Sequence, residues 1–390
     1  MADRNMRILI AGAGPGGLTA ARALRMAGFS PTVIDKRPHD DILADVGGAY
    51  DLGPEVVQVF RLLGVEEKAR EIGMSWTSLV VYDSGFNPMR TLSTAGLNVL
   101  SLRRAELQAV LAEGLDDCLR GDCEVVGVER GDEVIVSLAN GEKLSCEVLI
   151  GADGVHSAVR ASALNDGPPH FCQVMAAWGW LPEDHPTLEG KAPAAGHLLL
   201  GRPASAAAGA VHGRYVWSVM WPAEAYSRAP GPEARKAEVL AITREATPGF
   251  APVVEATDPE HIAVVGIWDR EPGSPWSAGR VVLIGDAAHA TSPTLGQGAQ
   301  SAMVDGYVLA RLLARHEPAE AFALFQKRRM ELVNANVLSA RRMGDWMFSR
   351  NALVQWTTRA MFRWTPAFVF RRGLESANKA NDLTDLLPDE

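Results

Sequence analysis

Ile8-Leu9-Ile10-Ala11-Gly12-Ala13-Gly14-Pro15-Gly16-Gly17 decides how the rest of the chain is read. The apolar run over 6–11 predicts a buried strand that leads straight into a glycine turn. Beyond the turn, Leu18, Ala21, Leu24 and Ala27 recur at helical spacing, and Gly28 stops the helix. Pro31 then opens a second strand, Thr32-Val33-Ile34, which ends at Asp35. Gly12, Gly14 and Gly17 thus match GxGxxG inside a βαβ unit, the context the motif demands. The first glycine permits the tight turn, the second lets backbone approach a pyrophosphate, and the third lets helix and strand pack closely. Pro15 and Gly16 complete the turn, and the helix N-terminus faces the anion. Asp35, 18 residues beyond Gly17, can accept hydrogen bonds from an adenosine ribose. Its neighbours Lys36 and Arg37 join it as cofactor-binding candidates. FAD and NAD fit this much equally well.

A second motif separates them. Val281-Val282-Leu283-Ile284 is another buried strand, and it delivers Gly285 and Asp286 at its C-terminal end, where ligands of open α/β sheets sit. A carboxylate there suits the polyol linker of a flavin, which NAD lacks. Pro293-Thr294-Leu295-Gly296-Gln297-Gly298-Ala299-Gln300 then runs into a helix. Its N-terminus can aim backbone N–H groups at the flavin edge that becomes negative on reduction, so Pro293, Gly296 and Gln297 are the flavin-facing candidates.

Working outward, these motifs join Gly151-Ala152-Asp153-Gly154 with Ser157 and Arg160. Together they resemble the three fingerprints of the single-component FAD-dependent monooxygenases, the aromatic hydroxylases similar to para-hydroxybenzoate hydroxylase, over roughly residues 6–345. The resemblance is to the shorter members, including tetracycline-modifying and salicylate-type hydroxylases. It implies an α/β fold in which a Rossmann-like, GR2-type FAD-binding domain comprises 1–75, 101–165 and 262–330. An inserted antiparallel-sheet substrate domain (76–100, 166–261) and a C-terminal helical arm (331–390) complete the layout. It also implies that Asp153 lies near the pyrophosphate, that Asp286 binds the ribityl chain, and that Gly285, Gly298 and Ala299 flank the flavin. Arg104 with Leu107 resembles the family's FAD-contacting helix start, and Gly48, within 47–52, occupies the segment passing close to the ring. Gln300 stands where the family often has Asn, and Asp305-Gly306 replaces the usual Asp-Ala.

The implied activity is hydroxylation or epoxidation of an apolar, aromatic (phenolic, indolic or polycyclic) molecule with NADPH or NADH and O2, through a flavin C4a-hydroperoxide. A substrate of that kind supplies its own nucleophilic carbon, so no general base is named. A non-oxygenating flavoprotein and a non-catalytic NAD-binding module are the alternatives. Alternation in 212–221 puts Tyr215, Trp217 and Trp221 on one face; this face is assigned to the substrate cavity, with core packing as an equal alternative. His289 is read as structural, packed behind the flavin loop.

Composition bounds the rest. A net charge of −9 argues against a nucleic-acid partner. Cys118, Cys123, Cys146 and Cys172 form no CxxC pair and no metal-ligand spacing, so no metal is expected and a cytoplasmic setting is. No run of about 18 apolar residues predicts a membrane span. A monomer or homodimer is expected. The C-terminal run mixes Trp346, Phe348, Trp356, Phe362, Trp364, Phe368 and Phe370 with Arg350, Arg359, Arg363, Arg371 and Arg372; such a helix can lie on a membrane surface or form a dimer contact, and its plain reading is a helix covering the substrate domain.

Overall fold

The computed structural model describes residues 3–44, 48–190, 195–227 and 229–366, with 368, 369, 372 and 383. Gly47, Phe370 and Arg371 lie outside the described residues.

β1 (Ile8–Ala11) feeds α1 (Pro15–Met26), and β2 (Thr32–Ile34) follows. β3 (Ala49–Leu52) leads into α2 (Pro54–Leu62) and α3 (Glu66–Ile72). The hairpin β4 (Ser78–Tyr82) and β5 (Pro88–Ser93) precedes β6 (Leu100–Arg103) and α4 (Arg104–Ala112). β7 (Leu119–Arg120), β8 (Val125–Arg130), β9 (Val134–Leu138), β10 (Lys143–Cys146) and β11 (Val148–Gly151) run to α5 (Ala158–Leu164). Next come β12 (His170–Pro182), β13 (Ala195–Leu200), β14 (Ser205–Val211), β15 (Arg214–Pro222), α6 (Pro232–Ala246) and α7 (Ala251–Ala256). β16 (Ala263–Asp269), β17 (Ser277–Ala278) and β18 (Val281–Leu283) lead to α8 (Asp286–His289), α9 (Gly298–Leu313), α10 (Pro318–Met347) and α11 (Ala352–Trp364).

One sheet has the order β17-β18-β11-β1-β2-β7 and is parallel except at its β17 edge. β1, β11 and β18 are buried along their whole length, as central parallel strands covered by helices on both faces must be. Helix contacts are set by glycine. A Cβ on Gly17 would stand 2.0 Å from the Gly12 carbonyl oxygen, and one on Gly306 would stand 2.5 Å from that of Gly16 and 2.9 Å from the Ala20 nitrogen. Gly306 in α9 therefore lets that helix lie against the start of α1 at backbone distance. Gly64, at φ +70°, separates α2 from α3.

The second large sheet has the order β16-β12-β15-β14-β13-β4-β5 and is antiparallel except where β13 meets β4. It keeps its edge strand to Asp269, because β16 pairs with β12, so the sheet outruns the boundary expected at 261. Its two faces differ. Tyr215, Trp217 and Trp221 are buried beneath Val239 and Ala246 of α6 and Val253 and Val254 of α7, with Phe250 beside them. The Trp217 indole N–H donates to Thr257 Oγ1 at 3.0 Å. This corrects the assignment of these aromatics to a cavity: they form the core between sheet and helices. On the opposite face Trp178, Leu198, Ala207, Ser218 and Met220 stay partly exposed. Phe348, beyond the end of α10, packs there against Val174 and Ala176. α11 covers the outer strands, with Phe362 against Val81, Leu92 and Leu200. A two-stranded ribbon, β3 with β6, stands between the two sheets' territories, tied to the second by the chain from Met74, which bridges Ser101, to Trp76, whose indole faces Gly196 and Gly209.

Candidate active site

The glycine turn presents its backbone to an open cleft. Gly14 caps α1 with Pro15 in the first turn, and a Cβ on Gly14 would meet no atom within 4 Å. Gly12, at φ +107°, lies so close to Ala152 that a Cβ would stand 2.2 Å from its carbonyl oxygen, which seats the second motif against the first. Asp35 accepts from the Ala13 N–H at 2.8 Å, the Arg37 N–H at 2.9 Å, and Nε and Nη2 of Arg37 at 2.9 Å each. Burial pushes this carboxyl up, but the Arg37 guanidinium and the two backbone donors outweigh it and hold the group below the usual range. All four acceptor sites of the carboxylate are thereby engaged. A ribose can bind Asp35 only as Arg37 yields. Lys36 is exposed beside this pair.

Gln108 is a functional residue that sequence reasoning missed. It is fully buried, donates to the Ala13 carbonyl at 3.0 Å and the Ile42 carbonyl at 3.3 Å, and accepts from Arg104 Nε at 3.3 Å. Arg104 is thus aligned from its own helix, and its backbone N–H donates to the Gly48 carbonyl at 3.1 Å. The signal was an amide on the apolar face of α4, one position beyond Leu107.

The second motif is built for capping and clamping. Asp153 accepts from Ser157 Oγ at 2.5 Å and the Val159 N–H at 3.1 Å, while Ser157 caps α5. Burial raises the Asp153 carboxyl despite those bonds. Arg160, buried, donates to the carbonyls of Ala287 and Ala288 at 2.9 and 2.7 Å and pairs with Asp166. It clamps the second motif to the third.

At the third motif, Asp286 heads α8 from Gly285, whose φ of +58° a side chain rarely tolerates. Water reaches the Asp286 carboxylate, yet protein crowds it on every side, as at the foot of a cleft. Desolvation pushes its carboxyl up, against His289 and Arg104. Behind it stands a buried polar cluster. Asp305 accepts from the Gly285 N–H at 3.0 Å, bonds His289 Nε2 at 2.5 Å, and accepts from Arg329 Nε at 2.8 Å. Burial opposes ionisation of Asp305, but His289 and Arg329 prevail and lower it. His289 therefore sits behind the flavin loop as a structural partner of Asp305.

The loop itself makes a single 3-10 turn at Pro293–Leu295, turns at Gly296 (φ +65°) and enters α9 at Gly298, beside the Asp286 carboxylate. Gln297 is buried, Ala299 half-buried, and Pro293 exposed. Gln300, the departure from Asn, accepts from the Gly53 N–H at 2.8 Å and donates to the Gly296 carbonyl at 3.1 Å. Its extra methylene lets one side chain span from the ribbon strand β3 to the loop. Thr294 Oγ1 donates to the Ala340 carbonyl of α10 at 2.8 Å. α10 then runs on to Phe348, which packs on the partly exposed sheet face, so one helix touches both the loop and that face.

Asp51, inside the 47–52 segment, is a residue to which the sequence assigned no role. On β3 it alternates with Tyr50, whose charged neighbours are Arg104, Asp286 and Arg37, so Asp51 points the other way. It bonds Ser101 Oγ at 2.5 Å; water reaches it, yet the protein packed around it raises its carboxyl against that bond. Among the described residues one His170–Cys172–Asp269 cluster has metal-ligand proximity, but Arg341 already holds Asp269 through Nε and Nη2 at 2.8 and 3.1 Å.

These donors fit FAD. Two helix N-termini, an alignable arginine and a cleft-facing carboxylate lie along one path, and Gly14, Gly48 and Gly154 each leave room where a Cβ would otherwise intrude. Comparison with known proteins agrees. The model of the FAD binding domain family matches residues 5–324. An aurachin C monooxygenase/isomerase of Stigmatella aurantiaca is 29% identical, over 92% of this chain and 94% of the relative. An FAD-dependent urate hydroxylase of Mycolicibacterium vanbaalenii is 30% identical, over 87% of this chain and 88% of the relative. The solved structure of Klebsiella pneumoniae HpxO complexed with FAD and uric acid superimposes with a TM-score of 0.87 at 25% identity, covering 97% of this chain and 98% of that one.

Proposed function

The chain belongs to the FAD binding domain family and is an FAD-dependent monooxygenase, and we propose that it oxygenates an apolar aromatic or heteroaromatic small molecule at the expense of NAD(P)H. Bound FAD, once reduced, activates O2 and supplies an electrophilic oxygen atom. The residues of this chain bind and orient. Asp286, Arg104 and the starts of α1 and α9 hold the dinucleotide. The start of α9 also aims backbone dipoles at the flavin edge where negative charge develops.

The observation that carries the substrate reading is the partly exposed sheet face opposite the flavin loop. Trp178 and Met220 offer flat, polarisable walls for an aromatic ring, with Leu198 and Ala207 as apolar floor. Ser218 adds one hydroxyl for orientation. Asp51 brings the carboxylate, placed to accept the proton of a substrate hydroxyl or ring N–H, which makes the ring carbon more nucleophilic. Asp153, which the resemblance sets near the pyrophosphate, is left to hold that end of the dinucleotide.

The test is NADH and NADPH oxidation by the FAD-loaded enzyme with a panel of phenols, hydroxyquinolines, purines and indoles. The reading expects at least one to accelerate oxidation and to yield a product one oxygen heavier. Acceleration with no oxygenated product from any panel member would favour a non-oxygenating flavoprotein instead.

A further inference from the structure

α11 is turned inside out for a helix that merely closes a domain. Its inward side carries Gln355, Thr358 and Phe362, with Gln355 Nε2 donating to the Ser349 carbonyl at 2.6 Å. Its outward side carries Leu353, Trp356 and Trp364, which are 69%, 61% and 73% exposed. Positions 353, 356, 360 and 364 form one stripe along the helix. Trp346 at the end of α10 and Phe368 beyond α11 are exposed as well. In sequence, residues 338–372 hold seven arginines and one acid, Asp345, in a chain whose net charge is −9; of these, Arg341 pairs with Asp269 and Arg350 with Glu224, while Arg359 and Arg363 line the cavity at the stripe.

A cavity of about 280 Å³ opens at the same place, lined by Trp356, Arg359, Arg363, Trp364, Asp83 and Met89 among others. Asp83 is turned into its own loop, accepting from the backbone N–H groups of Gly85 and Asn87 at 2.9 Å each. Arg359 donates to the Leu200 carbonyl through Nη2, while its buried Nε makes no hydrogen bond. The cavity thus offers guanidinium donors to an anion between two tryptophans.

We propose that this face of α10 and α11 docks on an anionic phospholipid surface, with phosphate headgroups taken by Arg359 and Arg363. Exposed Trp and Leu beside arginines are the chemistry of a helix lying in the plane of a bilayer interface. No described helix is long and apolar enough to cross a membrane. A second copy fits less well, since a two-fold axis would set Arg359 and Arg363 of the two copies against one another. The proposal stands apart from the substrate reading.

The experiment is flotation of the full-length, FAD-loaded protein with phosphatidylcholine vesicles, with and without phosphatidylglycerol. Three proteins are compared: wild type, Arg363→Gln, and the triple variant Leu353→Ala/Trp356→Ala/Trp364→Ala. Flavin absorbance and sedimentation velocity report folding and assembly. Wild type is expected to bind phosphatidylglycerol vesicles, less so in high salt. Arg363→Gln should weaken binding several-fold, and the triple variant at least about tenfold, with the flavin spectrum unchanged. Absence of wild-type binding, equal binding to neutral vesicles, or undiminished binding by Arg363→Gln would each overturn the proposal. A wild-type dimer that the triple variant splits would give the face to a second copy instead.

Discussion

Replacing Gly306 by alanine tests the packing on which both ends of the flavin site depend. By helix propensity alone, alanine inside α9 should stabilise by about 1 kcal/mol. The structure predicts the opposite sign. The new Cβ would stand 2.5 Å from the Gly16 carbonyl oxygen and 2.9 Å from the Ala20 nitrogen, both backbone atoms of α1. No rotamer change relieves a backbone contact, so α9 must move off α1 by several tenths of an ångström. Overpacking of this kind costs roughly 1–3 kcal/mol, and its upper end, less the propensity gain, leaves about 2 kcal/mol of destabilisation. For 390 residues the unfolding entropy is about 0.8 kcal/mol/K, so the melting temperature should fall by roughly 2–3 °C. Gly16 heads α1 and Gly298 heads α9, so FAD affinity should fall several-fold as well. Calorimetry on the apoprotein and flavin fluorescence titration read the two effects. A melting temperature that is unchanged or raised would refute the argument, because propensity would then have won.

Three other substitutions separate the roles assigned above. Asp305→Asn leaves Arg329 buried without its counter-charge and should cost roughly 3–5 kcal/mol in urea unfolding. Because the folded Asp305 carboxyl lies below its unfolded value of about 3.9, its contribution is full above that pH and is lost as pH falls through the folded value, so wild type should lose more stability on acidification than the variant. Asp286→Ala removes the cleft carboxylate and should weaken FAD binding by roughly 10–100-fold while leaving apoprotein stability within about 1 kcal/mol, measured by flavin titration and thermal melts. Asp51→Asn should lower kcat with little change in FAD affinity. It should also abolish an acid limb in the pH–rate profile, which in wild type lies above the ordinary carboxylate range because the protein packed around Asp51 raises it.

Much of this site was legible because its chemistry is local in sequence. Gly12 at φ +107° and Gly285 at φ +58° hold backbone conformations that few other residues permit, and Asp35 follows β2 at the spacing the motif sets. What stayed hidden depends on contacts between distant segments. Gln108 reaches Ala13 across 95 positions and Gln300 reaches Gly53 across 247, and a glutamine carries no mark of what its amide will bond. The β15 pattern correctly separated two faces, but alternation does not say which one helices will cover. The bulkier face of Tyr215, Trp217 and Trp221 was covered by α6 and α7, because larger apolar area gains more from burial. Asp51 stayed without a role because its partner Ser101 lies on β6, 50 positions away.

The central claim, oxygen transfer to an aromatic ring, is tested most directly by running the FAD-loaded enzyme with NAD(P)H and its best panel substrate under ¹⁸O₂. The account predicts a product carrying one ¹⁸O atom, formed in step with NAD(P)H consumed. A product that takes its oxygen from water, or consumption that yields only hydrogen peroxide with every substrate offered, would contradict it.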